Sequence, residues 1–151
     1  NELMLRVDVI PVSLALAQAA NESAWGTSRF VLEGYNIFGQ WCYEEGCGMV
    51  PQRRASGATH EVRRFDSIAA SVKGYLNNIN THHLYTYLHE LRAFMRNQQQ
   101  TLDSMVLAYG LVSYSERGEH YVDEIQKIII QNKLRNRDRA ANSIAGIDPL
   151  H

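Results

Sequence analysis

The sequence predicts one α+β domain, mainly α, from three observations. Apolar residues recur at helical spacing in several separate stretches. Between positions 32 and 65, by contrast, Gly34, Gly39, Gly46, Gly48, Pro51 and Gly57 interrupt every period, so only short segments such as HEVRRF can pair as strands. At 151 residues and 45% hydrophobic content, the chain has the size for one compact core and no room for a second full domain.

The first helix is expected within residues 9–25, VIPVSLALAQAANESAW, where Pro11 falls in a first turn that tolerates it and Gly26 supplies a left-handed stop. Its apolar residues occupy several faces, which predicts a buried helix with Trp25 packed in the core at its end. Helical spacing returns after Asp66 and Ser67, either of which can cap, with Ile68, Val72, Tyr75, Leu76 and Ile79 on one face. Three further helices are marked by Leu84, Leu88, Leu91 and Met95, by Leu102, Met105, Tyr109 and Val112, and by Val122, Ile125, Ile128 and Ile129. From Leu134 the run LRNRDRAANS carries charge without periodic apolar residues. It predicts a domain over residues 1–134 followed by an exposed tail or linker over 135–151.

The 15 basic and 16 acidic residues leave a formal charge of −1, which argues against nucleic acid as a partner and favours a neutral or weakly charged ligand. No apolar run approaches the ~20 residues that cross a bilayer. The chain opens on Asn1, and residues 1–8 lack the basic start and apolar core of a signal peptide, so it reads as part of a longer protein whose export signal lies elsewhere.

Cys42 and Cys47 are separated by four residues, a spacing that closes a small loop as a disulfide in an oxidising compartment or leaves two thiols in a reducing one. Two cysteines alone do not complete a zinc site. His60-Glu61 and His89-Glu90 are followed by Arg64 and Ala93 where a second histidine would complete HExxH. Neither a G-x-S-x-G elbow nor a phosphate loop is present, and no cofactor is implied.

Glu22 is the leading catalytic candidate. It stands near the end of an otherwise apolar helix, where partial loss of water disfavours the charged carboxylate. A carboxyl that stays protonated near neutrality can act as the general acid that glycoside hydrolysis requires for its leaving oxygen. A solvated helix-end glutamate is the plain alternative.

The segment LALAQAANESAWGTSRF followed by YNIFGQW resembles the glucosaminidase family of peptidoglycan hydrolases, at Ala17, Gln18, Ala19, Ala20, Glu22, Ser23, Trp25 and Gly26, then at Asn36, Phe38 and Gly39. YSERGEHYVDEIQKII resembles the family's late motif, with Tyr114 and Tyr121 as its two tyrosines, and GCGMVPQRR, THEVRRFDS and NINTH resemble its Bax branch. The likeness covers about residues 5–134.

It implies a lysozyme-like fold, in which a helical lobe and a small β-hairpin lobe flank a glycan groove. It also implies endo-β-N-acetylglucosaminidase activity on the β-1,4 bond between N-acetylglucosamine and N-acetylmuramic acid, with Glu22 as general acid. Tyr121 would order the catalytic water or hold the acetamido group, and Tyr114 is a weaker second candidate. Glu61 is the preferred second carboxylate, although Val62 stands where related enzymes carry tyrosine, and Glu44 and Glu45 compete with it. Gln18, Asn36, Phe38 and Trp41 are candidate sugar contacts, the aromatic rings because a pyranose stacks its apolar face on them. The partner implied is the peptidoglycan strand, and the place the periplasm or cell envelope. Two rivals remain open: a lytic transglycosylase, which releases an anhydro sugar, and a module that binds glycan or protein without catalysis.

Overall fold

The computed structural model describes residues 2–144, with side chains described as far as Arg139. The last part of the expected tail, residues 145–151, lies outside the described residues. The fold is α+β and mainly α, and it divides into two compact units, residues up to 18 with those from 78 onward, and residues 19–77.

The first unit is helical. It holds α1 (Glu2–Arg6), the start of α2 (Val12–Glu22), the end of α4 (Ile68–Thr81), α5 (Thr86–Asn97), α6 (Ser104–Leu107), α7 (Glu119–Gln131) and α8 (Arg135–Ile144). Leu14, Leu88, Leu107, Leu111, Ile125 and Ile129 are fully buried in its core. The expected faces of α5 and α7 reappear in Leu88 and Met95 and in Val122, Ile125 and Ile129. Leu84 instead lies exposed in a single 3-10 turn before α5.

The expected stripe of Leu102, Met105, Tyr109 and Val112 is corrected by the structure. α6 is one turn long and continues as a 3-10 turn; Leu102 is buried just ahead of it as expected, but within it the buried residues are Ser104, Leu107, Ala108, Gly110 and Leu111, while Tyr109 and Val112 are exposed. Gly110 selects the face. A Cβ at that position would come within 2.5 to 2.8 Å of Leu88 Cβ, Cα and N, so only glycine permits this closeness to α5.

Arg92 is buried in α5 and gathers the N-terminal segment. Its guanidinium donates to the carbonyls of Leu5, Arg6, Asp8 and Val9 and to Asn80 Oδ1. Residues 135–144 form a helix, and Asp138 accepts from the Ser13 backbone N–H at 2.8 Å and from the Ser13 hydroxyl at 2.5 Å. A carboxylate there satisfies an orphan donor of the first turn of α2 and complements its dipole.

The second unit holds α3 (Arg29–Gly34), β1 (Trp41–Cys42), β2 (Gly48–Met49), β3 (Glu61–Arg63), the end of α2 and the start of α4. β3 is central, antiparallel to β1 on one side and to β2 on the other. The register sets Trp41 and Met49 on either side of Val62, and Cys42 beside Glu61. Residues directly opposite share a sheet face, so Trp41, Val62 and Met49 lie on one side and Cys42 and Glu61 on the other. Ser67, rather than Asp66, caps α4 by accepting from the Ala70 N–H at 3.0 Å.

Two expectations for α2 are revised. The helix runs Val12–Glu22, and although Ser13, Leu14, Ala17 and Gln18 are buried, Val12 and Leu16 are exposed, so it is not apolar-covered all round. Past its end Ala24 and Trp25 already adopt left-handed φ values of 48° and 57° before Gly26, which carries Trp25 into solvent at 63% exposure rather than into the core.

Candidate active site

In the second unit Glu22 is the last residue of α2 and is half-buried. Its carboxyl rests against Gly39, which has φ +67°, and a Cβ at position 39 would lie 2.7 Å from Glu22 Oε2. Any side chain there would displace the carboxyl.

The turn that presents Gly39 is fixed by its own residues. Asn36 Nδ2 donates to the carbonyls of Gln40 and Arg63, both at 2.9 Å, and its Oδ1 accepts from the Gln40 N–H at 3.1 Å. Phe38 stacks on Tyr75 of α4, with ring centroids 3.8 Å apart and planes 7° from parallel. Both were expected to touch sugar. With Asn36 buried and Phe38 only 2% exposed, neither has surface to offer, and their contribution is to seat Gly39 beneath Glu22. Sequence reading missed Gly39 itself, although its place in N-x-F-G was the available signal.

Glu61 is buried on β3, and its two oxygens accept from the backbone N–H groups of Gly46 at 3.0 Å and Gly48 at 2.8 Å. Those hydrogen bonds, Gly46 first, hold its pKa below the ordinary glutamate range, with the Arg54 charge adding to the effect. The same loop is closed by the Cys42–Cys47 disulfide. A carboxylate so engaged is a weak base. Its visible task is to clasp residues 42–48, while Glu44 and Glu45 of that loop are exposed.

Trp41 stacks on His60, with centroids 3.7 Å apart and planes 13° from parallel, and remains 48% exposed. It is the expected sugar contact of this unit that keeps an open aromatic surface.

In the first unit Gln18 Nε2 donates to the Tyr121 hydroxyl at 3.0 Å, and both residues are fully buried. Tyr114 lies parallel to Tyr121 at 5.5 Å and beside Tyr85 at 6.0 Å, while the Arg117 guanidinium sits 5.7 Å from the Tyr121 ring centre. The two late-motif tyrosines are therefore brought together, and Tyr114, only half-buried, is the one with accessible surface.

Residues 1–134 match the family model described as mannosyl-glycoprotein endo-beta-N-acetylglucosaminidase. Over 121 residues the chain is 35% identical to Protein bax of Escherichia coli (strain K12), an alignment covering 80% of this chain and 42% of that protein. The chain thus spans about two fifths of the length of the curated relative it matches. No solved structure matches.

Proposed function

From the premise that this chain belongs to the glucosaminidase family, we propose that it hydrolyses the β-1,4 bond between N-acetylglucosamine and N-acetylmuramic acid in peptidoglycan, with Glu22 as general acid. The observation that carries this reading is the seat of Glu22. A half-buried carboxyl at a helix end, held over a glycine by a turn that Asn36 and Phe38 lock in place, is a fixed proton donor in a partly dry setting.

In this mechanism Glu22 protonates the glycosidic oxygen as the bond to the sugar's anomeric carbon breaks, and water completes hydrolysis. The resemblance assigns the ordering of that water or of the acetamido oxygen to Tyr121, but Tyr121 and the expected sugar contact Gln18 are fully buried against each other, so of the late-motif tyrosines Tyr114 is the one with surface to offer the substrate. Glu61 is given the loop and not the base, because its oxygens already serve Gly46 and Gly48. The periplasm or cell envelope is the place that fits both this substrate and the Cys42–Cys47 disulfide.

Digestion of purified peptidoglycan by the parent protein and by Glu22→Gln tests the proposal. Fragments ending in reducing N-acetylglucosamine should appear with the parent, and the variant should lose at least about 100-fold in rate while folding normally. Anhydro-muramic ends would reassign the chemistry to a transglycosylase. Parent-like turnover by the variant would remove Glu22 from its role.

A further inference from the structure

Trp41 and His60 stand on the same face of the sheet for a reason of register. Trp41 pairs with Val62, and His60 is two residues from Val62, which makes it the diagonal cross-strand neighbour within reach of an aromatic ring. The imidazole lies flat on the indole at 3.7 Å. His60 is itself held, since Arg54 Nη1 donates to its carbonyl at 3.1 Å. On the opposite face, the disulfide and the Glu61 clasp fix Cys42 and Glu61, the strand residues that adjoin Trp41 and His60 in sequence.

A half-exposed indole with one ring face covered has an orientation set before any ligand arrives. Its open surface matches the C–H face of a pyranose. Resting on the glycan-hydrolase reading above, we propose that Trp41 is a stacking platform for one N-acetylhexosamine ring of the β-1,4-linked strand, and that His60 is a positioning residue that holds the indole for it. Without the imidazole the indole can leave its bound orientation, and restoring that orientation costs affinity. A stacking contact made equally in the bound substrate and the transition state raises KM when it is lost and leaves kcat.

Two measurements on the same proteins test this: calorimetric binding of a β-1,4-linked tetramer of N-acetylglucosamine in a Glu22→Gln background, and steady-state digestion of peptidoglycan with Glu22 intact. Trp41→Ala should weaken tetramer binding about tenfold and raise KM similarly with kcat kept, as expected for losing one stacked aromatic contact. His60→Ala should weaken binding about threefold and His60→Phe should restore it, because a flat ring of similar size replaces the support. Trp41→Phe, expected between parent and Trp41→Ala, decides the matter if the alanine variant fails to fold.

Parent-like binding by the Trp41 variants, or equal losses for His60→Ala and His60→Phe, would overturn the platform while peptidoglycan digestion by the parent upheld the enzyme. A folded parent that neither binds the tetramer nor releases fragments would overturn both.

Discussion

Glu22 and Glu61 are two carboxyls of one unit in contrasting surroundings. Glu22 is seated on a bare glycine Cα, whereas Glu61 is gripped by two peptide N–H groups. Because the folded state depresses the Glu61 pKa, the carboxylate adds stability above the ordinary glutamate value of about 4.3, and that contribution disappears as pH falls through the lower folded value. Parent protein should therefore be more stable than Glu61→Gln at neutral pH, and their urea midpoints should converge as the pH falls below the ordinary glutamate value of about 4.3. A gap that stays constant as the pH falls would mean the hydrogen bonds from Gly46 and Gly48 do not distinguish the ionised form. At this scale the segment AQAANESAWG is what singles Glu22 out in the sequence, while its seat against Gly39 was not foreseen. The hydrogen bonds of Glu61 were not foreseen either, since acceptance from the peptide N–H groups of a loop residue, Gly46, and a neighbouring strand residue, Gly48, leaves no mark on residue identity.

Among the elements, the third expected apolar stripe shows where pattern reading fails. Leu102, Met105, Tyr109 and Val112 fit a helical period as well as Ser104, Leu107, Ala108 and Leu111 do, and hydropathy does not separate the two sets. Packing buried the latter and, of the former, Leu102 alone, because Gly110 lets that segment approach α5 closely. Gly110→Ala is accordingly expected to destabilise the fold by about 2 kcal/mol, the cost of overpacking a close contact with backbone that cannot yield. Thermal unfolding of the variant measures it, and an unchanged midpoint would show that α5 moves aside freely. The α7 face, by comparison, was readable from Val122, Ile125 and Ile129, where a long regular helix leaves one choice of side. Trp25 was misplaced because two non-glycine residues, Ala24 and Trp25, enter left-handed backbone ahead of Gly26, which composition gives no means to foresee.

For the molecule as a whole, the family match ends at residue 134, but the ordered structure does not. α8 sends Asp138 back to Ser13 at the start of the helix that bears Glu22. A chain ended after Leu134, and the substitution Asp138→Ala, should each lose about 1 kcal/mol of unfolding free energy, comparable to removal of a helix cap. Denaturant titration of both against the parent reads this directly, and equal stability of all three would make α8 dispensable. The loop clasp has a different kind of consequence, one that concerns the history of a sample. The Glu61 hydrogen bonds form whenever the chain folds, but the Cys42–Cys47 bond also needs an oxidant. Two preparations of identical sequence and identical mass to within two hydrogens can therefore hold residues 43–46 differently. Thiol content, measured before any assay, becomes part of the definition of the protein being assayed.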